Sequence, residues 1–200
     1  MATRKIVMFN QVSADGYFAA SDGSLDWVVQ EPKVYQEGVA SLPEIDTMLF
    51  GRKTYDMFES FWPHALDDPK TAPDPHAPGK RSEQAREMAV WINQSPKLVI
   101  SKSRKHVTWQ NSKLLDHFDP RAIQALKQER GGDIMVFGSG SIVAQLSQHR
   151  LIDHYLFVVM PVLLGKGQPM LSSADARLGL KLVSAKPFDS GVVLLHYSPT

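Results

Sequence analysis

Three stretches of the chain place glycine, hydroxyl and basic side chains directly after an apolar run, a pattern typical of a strand that ends at an anion-binding turn. In the last of them, residues 134–137 form the apolar run, residues 138–141 read Gly-Ser-Gly-Ser, and a helical pattern follows. Glycine lets the backbone approach a ligand closely, and the N–H groups and positive dipole end of a helix start suit a phosphate. This stretch predicts a binding site for a nucleotide pyrophosphate, although ordinary strand–helix turns also carry Gly and Ser.

The same stretch does not match the first turn of a doubly wound dinucleotide fold. That fingerprint needs a third small residue where Val143 stands and an acidic residue about 20 positions further on, where Met160 and its apolar neighbours stand.

The other two stretches add cations to the pattern. Residues 46–50 read as a buried strand followed by Gly-Arg-Lys-Thr, and residues 97–101 as a strand followed by Lys102 and Ser103. A cation at a helix start, as at Arg52 and Lys53, opposes the helix dipole and is easier to explain if an anion meets it. A solvated basic surface is the alternative for both stretches. Residues 97–115 contain no Asp or Glu, which favours the 2′-phosphate of NADPH over the ribose hydroxyl of NADH. The predicted cofactor-binding residues are Gly51, Arg52, Lys53, Thr54, Ser101, Lys102, Ser103, Gly138, Ser139, Gly140 and Ser141.

Taken in order, the three stretches resemble segments of the dihydrofolate reductases. LFGRKTYDMF is similar to their GRKTW-type segment, VISKS to the strand that meets the 2′-phosphate, and IMVFGSGSIVAQL to their Gly-Gly-Ser helix start. VSADGYFAASDGSLDWVV and LIDHYLFVVMPVLLGKGQPML resemble the reductase domain of the riboflavin deaminase-reductase and single-domain bacterial proteins related to it. The resemblance covers residues 5–197 and implies a three-layer α/β fold. Its central sheet would be mixed but mostly parallel, flanked by helices, with a C-terminal antiparallel hairpin.

The resemblance also implies an activity. It points to an NADPH-dependent oxidoreductase that transfers hydride to a small nitrogen heterocycle. The substrate would be a ribosylaminopyrimidine, as for 5-amino-6-(5-phosphoribosylamino)uracil reductase in riboflavin biosynthesis, or a pterin, as for dihydrofolate reductase. The resemblance places Asp15 and Trp27 where the nicotinamide meets the substrate ring, and the proton would come from Asp15, Glu31 or water. Asp15 also suits a plain Asp-Gly turn, and Trp27 also suits a core position.

Two departures leave the substrate open. Asp26 stands where dihydrofolate reductases have proline, and Phe137 stands where the riboflavin-type domain has an acid. A non-catalytic nucleotide-binding module of the same fold is therefore the alternative function.

The composition of the chain limits the classes of protein to which it can belong. The 200 residues suit a single domain over residues 1–200. The 22 Lys and Arg against 21 Asp and Glu indicate neither a nucleic-acid nor a membrane-surface partner. Without cysteine there is no disulfide and no zinc site of the deaminase type, and the seven histidines show no metal-site spacing. Because no apolar run reaches the length of a membrane span, we expect a cytoplasmic protein. The apolar stretches 156–164 and 192–197 lead us to expect a homodimer.

The coarse pattern alternates strands and helices. Strands are predicted at residues 5–12, 47–50, 97–101, 106–109, 133–137, 153–163, 180–186 and 192–197, with a hairpin turn at 187–191. Helices are predicted at 33–42, 53–58, 82–93 and from 120 to about 130, and the proline-rich residues 62–81 are predicted to be a long loop.

Overall fold

The computed structural model describes residues 3–29, 31, 33–34, 44–67, 83–171 and 177–200. Ten strands occur in these residues. They are β1 (Ile6–Ser13), β2 (Tyr17–Ala19), β3 (Ile45–Gly51), β4 (Lys97–Ile100), β5 (Ser112–Leu115), β6 (Asp133–Phe137), β7 (His154–Met160), β8 (Gln168–Pro169), β9 (Leu180–Pro187) and β10 (Val193–Pro199). Eight of them form one sheet in the order β5-β4-β3-β6-β1-β7-β10-β9, in which β10 pairs antiparallel with both β7 and β9 and all other neighbours pair in parallel. Strands β2 and β8 pair separately as a short antiparallel ribbon.

Helices cover both faces of the sheet. In the described residues they are α1 (Arg52–Phe61), a 3-10 turn (Trp62–His64), α2 (Glu83–Gln94), α3 (Pro120–Leu126) and α4 (Gly140–Gln148). Successive residues of a strand face opposite sides, so the sheet separates two cores. Val7 and Phe9 of β1 pack with Tyr55 of α1 in one core, whereas Ile6 and Met8 lie in the other.

The second core lies under α3 and α4. It contains Ile123 of α3 and Val143 and Leu146 of α4. Strands β3 and β6 are buried along almost their whole length, as expected for parallel strands covered on both faces. The three-layer architecture with its mostly parallel mixed sheet and terminal hairpin is therefore confirmed.

One predicted strand is wrong. Residues 106–109 form no strand, and the chain joins the sheet only at β5, after a turn at Asn111 with φ of +59°. Side chains hold this segment instead of a strand ladder. The buried Trp109 donates from Nε1 to Asn93 Oδ1 at 2.7 Å, and Thr108 Oγ1 donates to Glu59 Oε1 at 2.7 Å.

Two other predicted elements are shorter than expected. Helix α3 ends at Leu126 rather than near residue 130, and the buried Lys127 that follows donates to Leu151 O and Asp153 Oδ2. Strand β7 ends at Met160 because Pro161 offers no N–H to a ladder. Most of the helix predicted at 33–42, residues 68–81 of the predicted proline-rich loop, and residue 82 of the helix predicted at 82–93 lie outside the described residues.

Two titratable arrangements stand near the N-terminal ends of the strands. The buried Lys97 donates from Nζ to Ser95 O at 2.7 Å and to Asn93 O at 3.1 Å, with Nζ 4.4 Å from the centre of the Trp109 ring. Burial lowers the pKa of Lys97 to about 8. His154 Nδ1 and His196 Nε2 lie 3.0 Å apart, and burial lowers the pKa of both imidazoles. Burial therefore disfavours the charged form of both rings.

Candidate functional site

The eleven residues predicted to bind a cofactor all line one cleft at the C-terminal ends of the parallel strands. They come from three chain segments, which follow β3, β4 and β6, and the parallel arrangement of those strands brings the segments together. The cleft encloses about 1190 Å³, above the roughly 300–1,000 Å³ of ordinary small-molecule pockets. Its size therefore suits a ligand as large as a dinucleotide.

The turn after β6 is held in an uncommon conformation. Gly138 and Ser139 have φ values of +52° and +55°, and the left-handed region is costly for a residue with a side chain. Ser139 pairs with the other turn through two hydrogen bonds: its N–H donates to Thr54 Oγ1 at 2.9 Å, and its Oγ accepts from Gly51 N at 2.8 Å. These bonds fix the starts of α1 and α4 against each other.

Both helix starts suit an anion. Neither α1 nor α4 has an acidic residue in its first turn, and neither has a side chain that caps its first N–H groups. The N–H groups at such a start carry a partial positive charge and favour a phosphate. Since residues from both first turns line the cleft, two positive helix ends face the same space.

Of the basic side chains around the cleft, those of Lys53 and Lys102 are available to bind an anionic ligand. Both are exposed, and neither forms an ion pair within the described part of the chain. Arg104, by contrast, pairs with Asp56 and Glu59, and its guanidinium lies 4.7 Å from the centre of the Tyr55 ring. Arg104 therefore stabilises the segment after β4.

The opposite end of the cleft is apolar and aromatic. The Phe137 ring lies 6.0 Å from Phe9 and 5.6 Å from Phe58, measured between ring centres. Phe18 of β2 and Met170, which follows β8, close the cleft from the ribbon side. Such walls can hold a flat heterocyclic ring. These residues escaped sequence reasoning because they read there as ordinary core positions.

Asp15 is not in the lining of this cleft. Its carboxylate accepts hydrogen bonds from Ser13 Oγ at 2.6 Å, Leu164 N at 3.1 Å and Gly165 N at 2.7 Å. The Ser13 hydroxyl, followed by the two backbone N–H groups, holds the pKa of Asp15 below its usual value. Asp15 thus joins the β1–β2 turn to the loop after β7 as an ionised carboxylate.

Trp27 and Glu31 are also absent from the lining. Trp27 donates from Nε1 to Ser24 O at 3.1 Å, and its ring packs against the core on the α1 side of the sheet. Glu31 accepts from Ser190 Oγ at 2.7 Å, which attaches it to the β9–β10 turn. The structure therefore brings together the predicted cofactor residues but not the predicted substrate residues.

No group of three or more potential metal-ligating side chains occurs among the residues that the structure describes. In the same residues, no helix is both long and apolar enough to span a membrane.

Comparison with known proteins agrees with this geometry. Residues 4–194 match the family model of the RibD C-terminal domain. Two uncharacterized proteins of Bacillus subtilis are similar over most of their length. YyaP is 28% identical over 199 residues, covering 97% of this chain and 94% of that protein. YwjB is 30% identical over 196 residues, covering 97% of each.

Solved structures show the same fold. A putative riboflavin biosynthesis protein from Shewanella sp. PV-4 aligns with a TM-score of 0.70 at 21% identity, covering 98% of this chain and 99% of that one. A deaminase/5-amino-6-(5-phosphoribosylamino)uracil reductase from Thermotoga maritima aligns at 0.64 and 14% identity, over 99% of this chain and 57% of that one. Dihydrofolate reductase from Enterococcus faecalis, solved with NADP(H), aligns at 0.61 and 13% identity, over 98% and 96%. The expected dihydrofolate reductase-like fold is confirmed.

Proposed function

The chain belongs to the RibD C-terminal domain family, and on that premise we propose that it is an NADPH-dependent reductase of a small nitrogen heterocycle. One observation carries the proposal. A single cleft combines two helix starts without a side-chain cap, an aromatic wall and two lysines that form no ion pair with any residue the structure describes.

The strand order supports an orientation for the cofactor. Lys102 follows β4, the helix starts follow β3 and β6, and the aromatic wall includes Phe9 of β1. These four strands are consecutive in the sheet, so the features succeed one another over three strand spacings, about 14 Å. This is the order of the groups in NADPH: a 2′-phosphate at one end, a pyrophosphate in the middle and a nicotinamide at the other end.

The chain's own residues would bind and orient NADPH and shield its rings from water. Lys53 and Lys102 would hold the 2′-phosphate, and the backbone N–H groups at the starts of α1 and α4 would hold the pyrophosphate. Phe9, Phe137 and the ribbon would enclose the rings and exclude water. The cofactor supplies the hydride.

We propose water as the source of the proton. Asp15 is held in its ionised form by three hydrogen bonds. Neither Asp15 nor Glu31 lines the cleft. Neither carboxylate is therefore placed to protonate a ring in this cleft.

The aromatic wall supports a substrate with a flat ring and leaves two candidate classes. The cluster of Phe9, Phe58 and Phe137 suits a flat ring, as in a pterin or a ribosylaminopyrimidine. The alternative function, a non-catalytic nucleotide-binding module, would use the same helix starts and lysines without turning over a substrate.

A turnover screen separates these functions. NADPH would be mixed with the protein and a panel of pterins and ribosylaminopyrimidines, and the loss of NADPH absorbance followed. We expect oxidation with at least one compound, and we expect Lys102→Ala to raise the KM for NADPH while the exposed Lys113→Ala of β5 leaves it unchanged. NADPH binding with no turnover across the panel would favour the non-catalytic module. Absence of NADPH binding would contradict both functions.

We also propose that the chain forms a homodimer through the side edge of the sheet that the last two strands, β10 and β9, form. Strand β9 is the edge strand there and is exposed along its whole length, including Leu182 at 50% and Val183 at 53%. An exposed apolar edge strand is prone to pair with another chain. Light scattering at micromolar concentration should give the mass of a dimer, and Leu182→Asp should reduce it. A monomeric wild-type protein would contradict this proposal.

A further inference from the structure

Asn10 is a buried polar side chain at the ring end of the cleft. It lies on β1 directly after the apolar residues 6–9, is 3% exposed and lines the cleft. Its neighbours Met8 and Val12, which share its face of β1, belong to the core beneath α4. Asn10 therefore faces the α4 side of the sheet, whereas Phe9 faces the α1 side.

Two hydrogen bonds fix the orientation of the Asn10 amide. Nδ2 donates to Gly138 O at 3.1 Å and to Met170 Sδ at 3.2 Å. A carbonyl oxygen only accepts, so rotating the amide by half a turn would bring Oδ1 against Gly138 O and leave both oxygens without a proton. The donor side of the amide therefore faces the phosphate-binding turn.

The acceptor side has no such partner. Oδ1 accepts no hydrogen bond from any described residue. Among the described residues, Asp133 Oδ2 is the one side-chain oxygen or nitrogen that is both fully buried and without a hydrogen-bond partner. Asn10 Oδ1 also has no partner, so it is not fully buried, and it must be open to the cleft that Asn10 lines. A ligand that closed the cleft without offering a donor would leave this oxygen unsatisfied, which is costly. The site therefore favours a ligand with an N–H or O–H group at this position.

We propose that Asn10 Oδ1 accepts a hydrogen bond from the carboxamide N–H of the nicotinamide. This inference rests on the proposed function, because it assumes that NADPH occupies the cleft. The same Asn10 amide bonds to Gly138, the first residue of the turn that would bind the pyrophosphate, and it lies on the α4 side of β1. On the orientation proposed above, β1 lies at the ring end of the cofactor. We therefore assign this position to the carboxamide rather than to the hydroxyls of the nicotinamide ribose, which are the other donors on this side of the pyrophosphate, and Asn10 acts as a specificity determinant for the carboxamide.

The test pairs a change in the protein with a change in the ligand. NADPH and its 3-acetylpyridine analogue, which lacks the carboxamide N–H groups, are titrated against tryptophan fluorescence. Each protein is then described by the ratio of the two dissociation constants, so an overall loss of affinity in a variant cancels. Asn10→Ala and the better-filled Asn10→Leu are compared with Gln148→Ala, which removes an exposed amide of α4 that does not line the cleft, and thermal unfolding checks that each variant is folded.

We expect the wild type and Gln148→Ala to bind NADPH about fivefold more tightly than the analogue, the ratio for one neutral hydrogen bond. In the Asn10 variants the ratio should fall close to one. A wild-type ratio near one, or a ratio that survives in a folded Asn10 variant, would overturn the role of Asn10 while leaving NADPH binding intact. Failure of the wild type to bind NADPH would instead overturn the proposed function, and this inference with it.

Discussion

Replacing Gly138 tests why the turn after β6 requires glycine. A Cβ built at this position lies 2.8 Å from Thr54 Oγ1 and 3.0 Å from Thr54 Cγ2, and the residue has φ of +52°. The left-handed conformation costs about 1–2 kcal/mol for an L-residue, and overpacking of a tight contact costs about 1–3 kcal/mol. We therefore expect Gly138→Ala to lower the free energy of unfolding by about 2–5 kcal/mol.

Two comparisons separate these contributions. Gly165 also has positive φ, +69°, but an added Cβ there meets nothing within 4 Å, so Gly165→Ala should cost only the backbone contribution, about 1–2 kcal/mol. In a Thr54→Ala background both close contacts of Gly138→Ala disappear. The double variant should then be more stable than additivity predicts, by about 1–3 kcal/mol.

The assay is urea unfolding of the wild type, the three single variants and the double variant. A Gly138→Ala cost equal to that of Gly165→Ala, or strict additivity with Thr54→Ala, would refute the packing argument. Glycine would then serve only the backbone conformation. Because the same turn would hold the pyrophosphate, we also expect folded Gly138→Ala to bind NADPH more weakly than the wild type.

Three further predictions concern charge. Lys102→Ala should reduce the preference for NADPH over NADH by about tenfold, the loss of one charge-assisted contact, measured by fluorescence titration; an unchanged ratio would exclude Lys102 from the 2′-phosphate site. The pKa of His154 and of His196 is lowered on folding, so the stability they contribute is present above pH 6.5 and is lost as the pH falls below it. His196→Gln should flatten the decrease in melting temperature between about pH 7 and 5, and an equally steep decrease would contradict this. Burial lowers the pKa of Lys97 from 10.5 to about 8, so the unfolded chain binds this proton more tightly than the folded protein does. The free energy of unfolding of the wild type, relative to that of Lys97→Met, should therefore rise as the pH increases from about 8 to 10.5. A difference that does not depend on pH would show that the Lys97 pKa is not lowered.

The sequence predicted the cofactor side of the cleft better than the substrate side. Each predicted phosphate-binding residue follows a strand directly, and parallel strands place such residues at one edge of the sheet. Strand periodicity was therefore enough to predict that Gly51, Lys102 and Ser139 meet. Their role in binding NADPH remains a prediction.

The substrate side depends on contacts between residues that are distant in the sequence. Asp15 reads as a candidate acid, but its partners include Leu164 and Gly165, which no local pattern connects to it. Arg104 is a basic residue close to Lys102 in the sequence, but it pairs with Asp56 and Glu59, which are distant in the sequence. The strand predicted at 106–109 was wrong for the same reason, since the partner of Trp109 is Asn93 of α2.

Asn10 did offer a signal in the sequence. It is the first polar residue after the apolar residues 6–9 of the strand predicted at 5–12, and a buried polar group needs a partner. What the sequence could not supply was the position of Gly138 O, which fixes the direction of the amide.

Titration of the wild-type protein with NADPH and NADH tests the central claim most directly, because the cleft is proposed to bind the phosphorylated cofactor whatever the substrate is. Calorimetry should show saturable binding of one NADPH per chain, with NADH weaker by about tenfold or more. Absence of saturable NADPH binding at about millimolar concentration, or equal affinity for the two cofactors, would contradict the account.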